Sequence, residues 1–153
     1  MSLQTAIAPR PLLRGYLHLI AAVVSPYALV YLVLASDSPR GVVGGALFGA
    51  SLVLLYSTSA VYHLLPVDHR LRGLVRRVDH SNIFLFIAGA YAPFALNLMS
   101  DPWGIPFLSI VGGLALVAVI VTVSAPSAPR WIRVGLYLAL GWILFPASQH
   151  KAR

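Results

Sequence analysis

The chain has no cysteine and no glutamate, and its acidic groups are four aspartates, Asp37, Asp68, Asp79 and Asp101. Without cysteine there is no disulfide framework, which excludes a small stapled domain. Charged residues fill only 10% of the 153 positions, against about a quarter in a soluble domain, too few to cover a water-facing surface. Disorder is excluded as well, because 59% of the residues are hydrophobic. No Walker or dinucleotide glycine pattern is present, so no nucleotide cofactor is implied. What there is in excess is positive charge and apolar length. Eleven Lys and Arg give a net charge of +7, but a mean hydropathy of +0.83 does not fit a nucleic-acid partner. A polytopic membrane protein remains, with lipids as its surroundings.

A helix needs about 17–25 apolar residues to cross the roughly 30 Å hydrocarbon layer. Tyr16 to Ala35, Gly41 to His63, Ile83 to Met99 and Ile105 to Ala125 each fit, and none contains an acidic or basic side chain of the Asp, Glu, Lys or Arg type. The breaks between them, Ser36 to Arg40, Asp68 to Asp79 and Ser100 to Gly104, are rich in charge, Pro or Gly. The runs do not alternate as barrel strands do, so the predicted fold class is all-α, a membrane helix bundle forming one transmembrane domain over 1–153. The first run exceeds the 7–15 residues of a signal-peptide core. Pro26 and Pro93 fall inside helices and read as packing kinks, and Gly45-x3-Gly49 is a spacing that lets a second helix approach closely, including in a helix-mediated oligomer.

Basic residues set the expected orientation. Arg10 and Arg14 precede the first helix, Arg70, Arg72, Arg76 and Arg77 lie between the second and third, and Arg130 and Arg133 follow the fourth. Only Arg40 lies on the other side, so the N-terminus is expected in the cytoplasm of a multi-pass cell-membrane protein. Topology thereby accounts for the Arg70–Arg77 cluster without nucleic acid. The last apolar run, Val134 to Phe145, is twelve residues and stops at Pro146, with Lys151 and Arg153 beyond. It is expected to form an incomplete fifth helix over about 131–145, as in a chain cut short at its C-terminus.

Ionisable groups near membrane depth are costly, so each is a candidate functional residue. His63 ends the second apolar run, and Ser59 and Tyr56 lie four and seven residues before it, on one helical face. Asp79, followed by His80-Ser81-Asn82, is the last acidic group before the third run. Antiparallel neighbours bring His63 and Asp79 to the same depth. Such a pair can hold a metal, satisfy each other by hydrogen bonding, or relay protons, and spacing alone leaves these three open.

Longer stretches carry a resemblance. Arg14-Gly-Tyr-Leu-His18, Tyr56-Ser-Thr-Ser-Ala-Val-Tyr-His63, Asp79-His-Ser-Asn-Ile-Phe84 with Ile87-Ala-Gly-Ala-Tyr-Ala-Pro93, and Leu136-Tyr-Leu-Ala-Leu-Gly-Trp142 resemble the hemolysin III family, the bacterial branch of the progestin and adiponectin receptor group. The resemblance covers about Arg14 to Trp142. It implies a seven-helix bundle, of which about five helices are present here, with a zinc site near the cytoplasmic face. His63 matches the helix-two zinc ligand, Asp79 the carboxylate that holds the zinc-bound water, and Ser59 the nearby hydroxyl. The family's two remaining ligands come from a His-x3-His on its seventh helix, a pattern this sequence lacks; His69, His80 and His150 are not expected to replace it, and His80 is expected to point away from Asp79. The resemblance further implies either a zinc-dependent hydrolase of amide-bonded lipids such as ceramides, with Asp79 as general base and Ser59 at the oxyanion, or the membrane-permeabilising, channel-forming activity of the family name. An inactive truncated copy is the third expectation.

Overall fold

The structure is a computed structural model that describes residues 12–66, 68–99, 102–125 and 129–143. These form five helices: α1 Leu12–Leu34, α2 Pro39–Leu64, α3 His69–Asn97, α4 Gly104–Ser124 and α5 Arg130–Trp142, with no strand among the described residues. Three helical stretches, Leu13–Leu34, Pro39–Leu64 and Gly104–Ser124, are long and apolar enough to cross a membrane. The chain is an all-α membrane protein, as composition requires.

One boundary differs substantially. The third helix is expected from about 83, yet α3 begins at His69 and absorbs the basic stretch that reads as a loop. Charge does not break a helix, and Leu71, Leu74, Val75 and Val78 recur at three and four residues through this stretch, the helical period. The Leu71 and Arg72 amides both bond the Asp68 carbonyl, at 3.0 and 2.9 Å, and start the helix there. α3 is not among the apolar spans above even though its part from Val78 onward is free of arginine, because Asp79-His80-Ser81-Asn82 and Asn97 dilute the apolar run. The first helix begins at Leu12 rather than about 16, and α5 ends at Trp142 rather than about 145. Arg10, Asp101, Phe145, His150, Lys151 and Arg153 lie outside the described residues, as do the side chains of His69, Arg70 and Arg130.

Consecutive helices pack antiparallel, and glycine makes the close approaches. A β-carbon on Gly49 would lie 2.7 Å from the Leu29 Cα, and one on Gly45 3.2 Å from the Leu32 Cβ, so the Gly45-x3-Gly49 face receives α1. Gly44 meets Pro93 of α3 in the same way, at 3.0 Å from its Cα. Pro26 removes the amide that would bond the Ala22 carbonyl, and the Ser25 hydroxyl donates to that carbonyl instead, at 3.2 Å. The buried cluster joins α3, α4 and α5 through Phe84, Val111, Ala115, Ala118 and Leu140. Phe84 stacks on Tyr137 at 4.3 Å between centroids, and the Tyr91 hydroxyl lies 2.9 Å from both the Leu140 and Gly141 carbonyls. Arg77 of α3 donates to the Val123 carbonyl at 3.1 Å, placing a cation on the C-terminal, partially negative end of α4.

Candidate functional site

The site is built where α1 begins, α2 ends and α3 carries its aspartate. Tyr56, Ser59 and His63 occupy one face of α2, as spacing predicts, and α1 crosses that face with His18. The His18 Nδ1 lies 2.5 Å from the Ser59 Oγ, and its ring stands edge-on to Tyr56 and His63 with centroids 5.7 and 6.2 Å apart. This depth is set one turn earlier. A β-carbon on Gly15 would fall 3.1 Å from the His63 Cβ and 2.6 Å from a Leu64 methyl, so glycine there lets α1 come down on the end of α2 without displacing Leu64. Ser59 is 3% exposed, shut between the two helices.

Asp79 enters from α3 with its side chain 13% exposed. His63 lies within electrostatic reach of Asp79, Arg14, His18 and His80. His80 departs from expectation. Its Nδ1 donates to the Arg76 carbonyl at 2.7 Å and sits 3.7 Å from the Asp79 Oδ2. A step of about 100° between neighbours on a helix predicts divergence. The hydrogen bond back to the preceding turn, however, folds the imidazole toward the carboxylate. Tyr137 of α5 donates to the His80 carbonyl at 3.2 Å, tying α5 to the same level. A little deeper, Asn82 donates to the Thr58 hydroxyl at 2.7 Å and joins α3 to α2.

The site residue missed from the sequence is His18, which enters there only as the end of the Arg14-Gly-Tyr-Leu-His18 segment and is given no role. The signal was present: an imidazole inside a spanning segment is as costly as His63 and needs a partner for the same reason. The arrangement offers an acceptor in Asp79, a hydroxyl in Ser59, and imidazoles in His18 and His63. It does not make a metal centre by itself. Among the described residues no three His, Cys, Asp or Glu side chains stand close enough to hold an ion, whereas zinc takes three or four protein ligands.

A family profile described as "Haemolysin-III related" matches residues 7–152. The chain is similar to the "Hemolysin-3 homolog" of Bacillus subtilis (strain 168), 31% identical over 134 residues that cover 85% of this chain and 62% of the relative. It is also similar to "Hemolysin-3" of Bacillus cereus, 29% identical over 153 residues, 96% of this chain and 68% of the relative. No solved structure matches the chain. The chain spans 62% and 68% of the length of these two curated relatives.

Proposed function

Since the chain belongs to the haemolysin-III related family, we propose that this membrane protein hydrolyses amide-bonded lipids from the polar cluster at the start of α1. The observation that carries the reading is the 2.5 Å contact of His18 with Ser59, near His63 and Asp79, which gathers four polar side chains from three helices at one end of the bundle. Asp79 is the group able to take a proton from water as it attacks an amide carbonyl and to return that proton to the amine nitrogen as the C–N bond breaks. With its Nδ1 protonated, His18 donates to the Ser59 Oγ and leaves the hydroxyl hydrogen for the developing oxyanion. The substrate reaches these groups laterally, from the leaflet in which the arginine-rich end lies, and the arginine asymmetry supports a cytoplasmic side for that end and the N-terminus.

Zinc belongs to this reading through the family resemblance. His63 is the side chain that would bind the ion, with Asp79 holding its water, and the ion would supply a water acidic enough to attack near neutral pH. Two such groups do not complete a zinc site, and the described residues offer no third, so no step is derived through the ion.

The relatives' printed names favour a second reading, membrane permeabilisation. A pore needs polar groups along a whole path. Here the buried hydroxyls at other depths are turned onto their own helices: Ser25 bonds the Ala22 carbonyl, Ser51 the Phe48 carbonyl and Thr122 the Ala118 carbonyl. Vesicles containing ceramide and an entrapped dye separate the two. Fatty-acid release with the dye retained is expected; dye release without fatty acid contradicts the hydrolase.

A further inference from the structure

Arginine is concentrated above the site. Antiparallel packing puts the starts of α1, α3 and α5 at one end of the bundle, and with them Arg14, Arg72, Arg76, Arg77 and Arg133, while the opposite end carries Arg40 beside Asp37. The 29 residues of α3 span about 43 Å at 1.5 Å per residue, well beyond the roughly 30 Å hydrocarbon layer. Its apolar part starts at Ile83, so the turns before Asp79 stand in the headgroup layer. Leu71, Leu74 and Val78 form an exposed stripe on one side of those turns, which keeps them at the interface rather than in bulk water.

The opposite side is the one that bears on the site. Arg72, Arg76 and Asp79 follow at four and then three residues, a spacing that stacks them on one helical face. Arg76 stands about 4.5 Å above Asp79 along the axis and Arg72 about 10.5 Å above it. Arg76 is exposed and Arg72 half-exposed, whereas Arg77 points elsewhere, bonded to the Gly73 and Val123 carbonyls. Two guanidinium groups one turn apart suit a phosphate, which they grip by charge-assisted hydrogen bonds.

We infer that Arg72 and Arg76 form a headgroup seat for an anionic phospholipid, whose phosphate they hold in the headgroup layer above Asp79. The inference goes beyond the hydrolase reading above: the lipid held is a neighbouring phospholipid, not the amide-bonded substrate. It is read by binding alone, so it stands or falls separately from hydrolysis.

The test is native mass spectrometry of the purified full chain with equal amounts of phosphatidylglycerol and phosphatidylcholine. Retention of phosphatidylglycerol is expected to exceed that of phosphatidylcholine by about tenfold or more. The Arg72→Gln/Arg76→Gln double variant is expected to lose that preference, Arg72→Lys/Arg76→Lys to keep most of it, and Arg40→Gln, at the other end, to leave it unchanged. Equal retention of the two lipids, a preference that survives Arg72→Gln/Arg76→Gln, or one that Arg40→Gln removes equally well, overturns the assignment.

Discussion

Replacing Gly49 with leucine is expected to destabilise the bundle by about 1–3 kcal/mol and lower its Tm in detergent by several degrees. The reason is where the new atoms would go. The first of them would already lie 2.7 Å from the Cα of Leu29, and a backbone atom cannot turn aside as a side-chain terminus can. α1 must therefore lift from α2, and with it His18 from Ser59. Gly112→Leu provides the comparison, because nothing lies within 4 Å of a β-carbon there. That variant is expected to melt like the parent chain. Equal losses in the two variants would mean that the α1–α2 approach is not what these glycines serve.

Asp79→Ala is expected to lower lipid-amide turnover by about 10²–10⁴-fold while leaving the Tm close to that of the parent. Asp79 is the one acidic group set against the imidazole cluster, so no described carboxylate is placed to take over its proton. Ser59→Ala is expected to cost about 10²–10³-fold, the effect of losing one donor to an oxyanion. The two losses should appear in kcat more than in KM, because neither group is needed to seat the lipid. Turnover within about threefold of the parent in Asp79→Ala would remove the carboxylate from the chemistry.

Much of this architecture is legible in the residues because lipid is a simple solvent. Uninterrupted apolar length marks α1, α2 and α4 within a few residues, the cost of ionisable groups at depth singles out His63 and Asp79, and helical spacing adds Ser59 on the His63 face. Where the reading diverges, a local interaction outweighs a pattern. The stretch from His69 to Val78 looks like a loop by charge, but the helical spacing of its leucines and valines prevails. His80 looks averted by helical angle, but its bond to the Arg76 carbonyl turns it back. His18 needed knowledge of which turn of α1 meets Ser59. That depends on Gly15 and Gly49, whose meaning is a distance between backbones and so is not written in either segment alone.

The central claim is that the start of α1 and the end of α2 meet at His18 and Ser59, next to His63 and Asp79. The absence of cysteine makes this directly measurable, since an introduced pair supplies the chain's only two thiols. In membranes, the His18→Cys/Ser59→Cys pair treated with a short thiol-bridging reagent is expected to form an intramolecular link that reductant reverses. Leu34→Cys/Ser59→Cys, with its thiols at opposite ends of the α1–α2 pair, is expected to stay open. A first pair that stays open, or two pairs that link equally, would contradict the account.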